Sequence, residues 1–170
     1  MTVSAPRHPA DRTDEALMGE CRLTRTRASG PGGQRRNKVE TAVVLHHEPT
    51  GLVARASERR DAEANRRSAL RRLRLLLACT RRCAWESPSE RWSLRARTGR
   101  MTVSAHHADL APLLAEALDA LAAHDWEGGA TATALGVSSS QLVRLLALHH
   151  PALATWNAVR AERGLRPLRP

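Results

Sequence analysis

The chain reads Ser29-Gly30-Pro31-Gly32-Gly33-Gln34 and continues directly into Arg35-Arg36-Asn37-Lys38. Two adjacent glycines can adopt positive φ and bring the backbone close to another molecule, and the neutral amide of Gln34 is then held at the tip of the loop. Arginines flank the loop, so we expect the surface that it contacts to be polyanionic. The stretch therefore predicts an ordered loop that probes ribosomal RNA.

Strand patterns lie on both sides of this loop. Residues 21–24 alternate between apolar and polar side chains, and residues 42–45 and 52–54 are apolar and rich in β-branched residues. The last two runs are separated by Pro49-Thr50-Gly51, which is typical of a hairpin turn. We predict an antiparallel pair there, and a second hairpin from residues 92–97 and 101–104 around Gly99.

A long basic helix is predicted between the two hairpins. Residues 61–83 contain no Gly or Pro, and leucines recur at helical spacing. Ser87-Pro88-Ser89 then interrupts the pattern. The leucines of the apolar stripe are Leu70, Leu73, Leu76 and Leu77, and arginines at 66, 67, 71, 74, 81 and 82 occupy much of the remaining surface.

The chain changes character after residue 105, where it becomes rich in Ala and Leu with helical periodicity. Residues 131–146 have the pattern of a helix-turn-helix, with Ala132 where the first helix must be small and Gly136 at the sharp turn. A last helix is predicted from Pro151 to Arg163, with Gly164 as its end. The predicted fold class is α+β: a small domain of antiparallel strands packed on a long helix, followed by an all-α C-terminal module.

The formal net charge of +10 is concentrated in the middle of the chain. Residues 21–100 contain 20 Lys and Arg against 7 Asp and Glu, a net of +13, whereas the remaining residues have 7 against 10, a net of −3. We therefore expect the basic module, rather than the C-terminal one, to bind polyanions. No apolar run approaches the ~18 residues of a membrane span, so no membrane partner is predicted.

Three cysteines are too few, and odd in number, for a disulfide scaffold, so a reduced, cytoplasmic location is predicted. Cys79 and Cys83 are spaced i, i+4 on the predicted helix, from which a zinc could be shared with His106 or His107. Typical zinc pairs are closer and no second cysteine pair exists, so neither a metal nor a cofactor is predicted. His46 and His47 end a strand without an evident catalytic partner.

The region from Gly30 to Leu73 resembles the catalytic, Gly-Gly-Gln domain of peptide chain release factors and of the short rescue hydrolases related to them. The tripeptide alone would be a weak signal, but an ordered series follows it without a gap. The residues that carry the resemblance are Ser29 to Gln34, Asn37-Lys38, Thr41-Ala42-Val43, Pro49-Thr50-Gly51, Glu58-Arg59, Asn65-Arg66 and Ala69-Leu70.

The resemblance implies hydrolysis of the ester that joins a nascent peptide to tRNA in the ribosomal peptidyl-transferase centre. It assigns the catalytic roles to Gly32, Gly33 and Gln34 and implies that a glutamine methyltransferase can modify Gln34. A neutral amide cannot act as a general base, so Gln34 is expected to position water and stabilise the developing oxyanion. The predicted RNA-binding residues are Arg27, Ser29, Arg35, Arg36, Asn37, Lys38, Arg59, Arg66 and Arg67.

The sequence departs from release factors at two points. Arg35 stands where release factors usually have His, and there is no room for the large codon-reading domains. The expectation is therefore a monomeric, codon-independent peptidyl-tRNA hydrolase that acts on stalled ribosomes. Its predicted parts are a flexible N-terminal arm (residues 1–15), a Gly-Gly-Gln catalytic domain (residues 16–104) and a helical C-terminal module (residues 105–170).

Two other interpretations stay open from the sequence. One is a ribosome- or RNA-binding accessory protein that keeps the loop without hydrolysis, for which Arg35 is the main argument. The other is a DNA-binding regulator built on the helix-turn-helix, in which Gln141 and Arg144 are the evident base-reading side chains. An assay of peptide release distinguishes the accessory protein from the hydrolase. The kind of nucleic acid that the chain binds distinguishes the DNA-binding regulator from both.

Overall fold

The structure, a computed structural model, describes residues 8–26 and 41–170. The chain divides into two compact units. Residues 12–77 form one, which we call the sheet unit, and residues 78–170 form the other, the helical unit, together with the described residues that precede Arg12. The division falls within one helix, between Leu77 and Ala78. The domain boundaries drawn from the sequence, at residues 15/16 and 104/105, stay a prediction.

The sheet unit contains three antiparallel strands in the order β1-β2-β3. Its elements are α1 (Asp14–Gly19), β1 (Cys21–Thr26), β2 (Ala42–His47), β3 (Leu52–Ala56) and most of α2 (Ala62–Thr80). Thr26 pairs with Ala42, and His47 pairs with Leu52 across the tight turn. Gly51 has φ of +71°, which a glycine adopts without strain. The predicted β2–β3 hairpin is therefore confirmed.

The two faces of the sheet differ in burial because side chains alternate along each strand. On the inner face, Val43, Leu45, Ala54 and Ala56 are almost completely buried. On the opposite face, Val53 is 47% exposed. The inner face thus supplies most of the core, whereas on the other face Arg22, Thr24 and Arg55 of the flanking strands are exposed and Val44 and Ala42 of the central strand are buried.

Helix α2 confirms the predicted basic helix. The Asp61 carboxylate accepts hydrogen bonds from the backbone N–H groups of Glu63 (3.2 Å) and Ala64 (2.9 Å), which caps the helix N-terminus. Leu73 and Leu77 are fully buried. The prediction for Leu76 was wrong, because this side chain is 38% exposed. At 100° per residue it lies at the border of the stripe that the other leucines centre on.

Part of the predicted flexible arm has regular structure. Residues 8–15 include a 3₁₀ turn, Pro9–Asp11, and the beginning of α1. The Thr13 hydroxyl accepts a hydrogen bond from the N–H of Ala16 (3.2 Å) and caps α1, and Ala10 is fully buried. Only six residues form α1, too few for periodicity to reveal it from the sequence.

The helical unit is built from short helices. They are α3 (Glu90–Arg95), a 3₁₀ turn (Arg97–Gly99), α4 (Leu110–Ala123), α5 (Gly128–Ala134), α6 (Ser139–Ala147) and α7 (His150–Glu162). The core consists of leucines and alanines with Trp92 and Trp156. Together with the sheet unit, these helices confirm the α+β fold class and the helical C-terminal part.

The second predicted hairpin, residues 92–97 with 101–104, was wrong. Residues 90–95 form α3, and residues 101–104 have no strand. The Ser89 hydroxyl accepts a hydrogen bond from the N–H of Trp92 (3.0 Å) and starts the helix. Trp92 is 1% exposed, so the apparent alternation around it reflected one buried side chain of a short helix.

The two helices and the turn predicted for residues 131–146 are present as α5 and α6. Gly136 has φ of +66° in the turn, and Ala132 and Leu142 are buried at the junction. The Trp92 indole N–H donates to the carbonyl of Leu135 (2.8 Å), which fixes the turn from the side of α3. Across residues 8–26 and 41–170, none of the helices combines the length and apolarity that a membrane crossing requires.

Candidate functional site

Most of the predicted site residues belong to the connection between β1 and β2. The catalytic residues Gly32, Gly33 and Gln34 lie outside the described residues, and so do the predicted RNA contacts Arg27, Ser29, Arg35, Arg36, Asn37 and Lys38. The structure instead describes the two ends between which this connection runs. Thr26 and Ala42 are register partners on adjacent strands, so the chain leaves and re-enters the sheet at the same end.

Asn65, a side chain that the sequence does not single out as functional, holds one of these ends. Its amide Nδ2 donates to the carbonyl oxygens of Thr41 (2.6 Å) and Arg59 (2.9 Å), and its Oδ1 accepts from the N–H of Arg59 (2.9 Å). Asn65 is fully buried, so water does not compete for these bonds. One side chain thereby ties the start of α2, the loop before it, and the residue at which the connection returns to the sheet.

The three predicted RNA contacts that the structure describes differ in their surroundings. Arg59 is exposed in the loop before α2, and no ion pair joins it to another described residue. Arg66 binds the Glu63 carboxylate through Nε (2.8 Å to Oε2) and through Nη2 (2.8 Å to Oε1). The guanidinium group of Arg67 lies 3.6 Å from Oε1 of the same carboxylate. The hydrogen bond from Arg66 lowers the pKa of Glu63. The carboxylate cancels part of the positive charge of this helix turn.

Two further arginines of α2 are also paired. Arg72 binds Glu58 (2.5 Å) and donates to the carbonyl of Arg55, so it fastens α2 to β3 and the loop after that strand. Its hydrogen bond lowers the pKa of Glu58. Arg74 binds Asp14 (2.6 Å) at the start of α1. The arginine-rich face of α2 therefore has a structural role within the unit.

A buried histidine joins the hairpin turn to the end of α1. His47 is 1% exposed, its Nδ1 lies 2.7 Å from Thr50 Oγ1, and its Nε2 lies 3.1 Å from Glu20 Oε2. Glu20 also forms an ion pair with Arg12. The partner of His47 is not evident from the sequence, because Glu20 lies 27 positions earlier. The strand register brings Cys21, the neighbour of Glu20, opposite His47.

This group has the residue types of a hydrolytic triad but functions in the turn. The Thr50 hydroxyl, in the position of a nucleophile, also accepts the N–H of Leu52 at 3.4 Å. The histidine is enclosed between the turn and α1. We therefore assign to this group the role of holding the β2–β3 turn in place.

In the described part of the chain, one group of three residues of the types that bind metals lies close together, and it is in the helical unit. One ligand atom each of His8, Cys83 and Asp119 lie within 4.8 Å of one another. Cys79, His106 and His107, the other members of the zinc set considered from the sequence, are not in this group.

The arrangement of the His8, Cys83 and Asp119 cluster is that of a hydrogen-bonded polar core. His8 Nδ1 accepts from the N–H of Ala10 (3.0 Å) and Nε2 donates to the carbonyl of Arg81 (3.2 Å), so both ring nitrogens are engaged. The Arg82 guanidinium lies 3.3 Å from Asp119 and supplies the positive charge. Burial lowers the pKa of His8 to about 4 and raises the pKa of Asp119 to about 6.

The fold and the two strand ends define a class of protein: a small α+β domain that presents a long, arginine-flanked connection at one end of an antiparallel sheet. The RF-1 domain matches residues 15–107. This match covers more than half of the chain and includes the β1–β2 connection, α2 and α3. The chain therefore belongs to the RF-1 domain family.

Similar proteins are named as release factors. The chain is 54% identical over 52 residues to peptide chain release factor PrfB1, chloroplastic, of Arabidopsis thaliana, covering 31% of this chain and 11% of that protein. It is 41% identical over 71 residues to peptide chain release factor 1 of Ureaplasma parvum serovar 3, covering 42% and 18%. It is 39% identical over 77 residues to peptide chain release factor 1 of Acidiphilium cryptum, and the match covers 45% of this chain and 22% of that protein. The chain thus spans a tenth to about a fifth of these relatives.

Proposed function

We propose that the chain hydrolyses the peptidyl-tRNA ester on stalled ribosomes without reading a codon. The observation that carries this proposal is the base of the β1–β2 connection. The connection contains Ser29 to Gln34, it leaves and re-enters one end of the sheet, and buried Asn65 fixes its return point at Thr41. The match to the RF-1 domain and the release-factor names of the relatives support the same activity.

In this proposal the connection acts inside the peptidyl-transferase centre. Gly32 and Gly33 let the backbone approach the substrate, and Gln34 positions the attacking water and stabilises the oxyanion that forms on the ester carbonyl. The ribosomal RNA and the tRNA supply the remaining groups. The proposed phosphate contacts beside the loop are Arg27, Ser29, Arg35, Arg36, Asn37 and Lys38, with Arg59, Arg66 and Arg67 further along the chain.

The residues after His107, beyond the matched domain, form α4 to α7. Their Leu and Ala core is joined to the matched domain by Trp92, which donates to Leu135, and by Asp119, which accepts from the N–H of Cys83. We propose that these helices dock the enzyme or select the stall. We further propose that the enzyme is a cytoplasmic monomer whose Gln34 is open to methylation.

Peptide release from defined ribosomes tests the proposal. Ribosomes would carry labelled peptidyl-tRNA on three templates: mRNA that ends at the P site, mRNA with a sense codon in the A site, and mRNA with a stop codon there. We expect single-turnover release on the truncated template, no requirement for a stop codon, and loss of release with Gln34→Ala. Release only with the stop codon would contradict codon independence, and no release on any template would favour the accessory protein.

The helix-turn-helix supports a second candidate, duplex nucleic-acid binding. The two helices α5 and α6 follow each other across a short turn, and Arg144 is exposed on α6. Gln141, the other predicted base-reading residue, is half-buried, which leaves little of α6 for groove recognition. Sequence-selective duplex binding that is lost with Arg144→Ala would support this candidate, and salt-sensitive binding without sequence preference would contradict it.

A further inference from the structure

Among the described strand residues, the side of the sheet opposite the inner face carries positive charge and no carboxylate. Strand register sets Arg22, His46 and Val53 side by side in one row across the three strands, and Thr24, Val44 and Arg55 in the next. Directly opposed residues project to the same side of a sheet. We call this surface, which Thr26 and Ala42 complete at the loop end, the outer sheet face. Its exposed cations are Arg22 and Arg55.

These two arginines differ from those of α2. Neither Arg22 nor Arg55 forms a side-chain ion pair with any residue in the described ranges, whereas Arg66 and Arg67 share Glu63. Two cations with one carboxylate leave a net charge of +1 at that turn of α2. The described residues of the outer sheet face carry a formal charge of +2 from the two arginines, so the face attracts a polyanion more strongly than that turn of α2 does.

The chemistry of the face selects phosphate. It has no Phe, Tyr or Trp among its described residues, so it lacks the large aromatic platforms of single-strand binders. It does have two guanidinium groups, which fit phosphate oxygens, and a Thr24 hydroxyl that can donate to one. Arg22 and Arg55 lie on the two strands that flank β2, two strand spacings across and two residues along the sheet, which is roughly 12 Å, so they can reach different phosphates.

We propose that the outer sheet face binds the phosphate backbone of ribosomal RNA independently of sequence. This inference rests on the proposed function, and it names a contact surface on the sheet in addition to the loop. The face begins at Thr26 and Ala42, the two ends of the β1–β2 connection. Along this face Arg55 lies two residue positions, and Arg22 four residue positions, from the Thr26 and Ala42 pair.

Binding of three double variants tests the proposal, with deproteinised large-subunit ribosomal RNA and intact ribosomes as probes. Arg22→Gln with Arg55→Gln removes the charge of the face. Arg66→Gln with Arg67→Gln removes the paired arginines of α2. Arg100→Gln with Arg169→Gln is the matched control, because both residues are exposed in the helical unit and the variant loses the same charge. Thermal unfolding of each variant would show that it remains folded.

We expect the Arg22 and Arg55 variant to bind the RNA at least ~10-fold more weakly at moderate salt. The slope of log affinity against log salt should fall by about 1.5, from two lost contacts at roughly 0.7–0.9 each. The α2 variant should lose less, and the control variant should bind as the wild type does. Equal weakening in all three variants, or the largest loss from α2, would overturn the proposal.

The two probes and a release assay separate the possible failures. Weaker binding of the Arg22 and Arg55 variant to ribosomes but unchanged binding to bare RNA would assign the face to a ribosomal protein and overturn the RNA proposal. Wild-type protein that binds RNA through this face yet releases no peptide would contradict the proposed hydrolase, while the binding surface would stand.

Discussion

The sheet unit and the helical unit differ in charge and in what holds them together. Residues 12–77 contain 15 Lys and Arg against 8 Asp and Glu, a net of +7, whereas the rest of the chain has 12 against 9, a net of +3. Four of the largest fully buried side chains described are leucines of the sheet unit, and the helical unit has six leucines and both buried tryptophans. Both units contain buried polar groups, His47 and Asn65 in the sheet unit and His8, Asp119 and Thr131 in the helical unit, so the difference among the described residues lies in the larger apolar core of the helical unit.

The largest expected effect is on packing in the helical unit. Trp92→Ala removes a buried indole and its hydrogen bond to Leu135, and we expect it to lower the free energy of unfolding by about 3–5 kcal/mol. Trp92→Phe keeps much of the apolar volume and should cost clearly less. Urea denaturation followed by far-ultraviolet circular dichroism measures both. A cost below ~1 kcal/mol for Trp92→Ala would show that packing there is not decisive.

Two asparagines, Asn65 in the sheet unit and Asn157 in the helical unit, test how much the burial of a polar side chain contributes to stability. Asn65→Ala leaves the buried polar groups of Thr41 and Arg59 without their partner, and we expect it to cost about 3 kcal/mol. Asn157 is the matched control, because its amide makes the same kind of backbone clamp with Leu168 (3.1 and 2.7 Å) but is only half-buried. Asn157→Ala should cost less than ~1 kcal/mol in the same denaturation experiment. Similar losses in both variants would contradict the role given to burial.

Release provides a second measurement on Asn65. If Asn65 positions the base of the β1–β2 connection, Asn65→Ala should lower the maximum rate of peptide release at a temperature at which the variant is folded. Its affinity for ribosomes should change little, because the arginines remain. A loss of affinity without a loss of maximum rate would show that Asn65 supports the binding surface instead.

The buried cluster of the helical unit predicts two opposite pH dependences. His8, with its pKa lowered to about 4, remains neutral in the folded protein but gains a proton when unfolded, so its contribution to stability falls as pH falls from about 6.5 towards 4. Asp119, with its pKa raised to about 6, takes up a proton more readily in the folded protein. Its contribution therefore rises as pH falls from about 6 towards 4.

Single variants separate these two contributions, which nearly cancel in the wild type. Between about pH 6.5 and about pH 4.5 each amounts to roughly 2 kcal/mol. With His8→Gln the unfolding free energy, relative to wild type, should rise as the pH is lowered over this range. With Asp119→Asn it should fall. Denaturation curves at several pH values provide the measurement, and the same pH trend in both variants would contradict the assignment.

The smallest expected loss of stability comes from substitutions in two turns, one in each unit. We expect the two units to lose the same amount. Gly51 in the sheet unit and Gly136 in the helical unit have φ of +71° and +66°, and a Cβ on either would meet no atom within 4 Å. Alanine at each position should therefore cost only the backbone strain, about 1 kcal/mol. If the two variants lose different amounts of stability in thermal denaturation, one of the turns makes a contribution to stability beyond its backbone conformation.

The sequence predicted the elements whose signals are local. Pro49 to Gly51 marked the β2–β3 turn, and Leu70, Leu73 and Leu77 marked the buried side of α2. The false hairpin around Gly99 shows the limit of short alternating runs, because residues 90–95 form a short helix that Ser89 caps and that buries Trp92.

The polar ties could not be predicted because their partners are far apart in the sequence. Asn65 binds Thr41 across 24 positions, and His47 binds Glu20 across 27. Neither side chain forms a local pattern, and each becomes recognisable only when strand register and the start of α2 bring the partners together. The division between paired and unpaired arginines depends on the same register, so composition alone could not separate α2 from the outer sheet face.

The central claim is that the sheet unit carries a loop that hydrolyses peptidyl-tRNA. Single-turnover peptide release by wild type and Gly33→Ala, on ribosomes whose mRNA ends at the P site, tests it most directly. We predict that the wild type releases the peptide and that Gly33→Ala binds the same ribosomes but releases at least ~100-fold more slowly. Equal release by the two proteins would contradict the account.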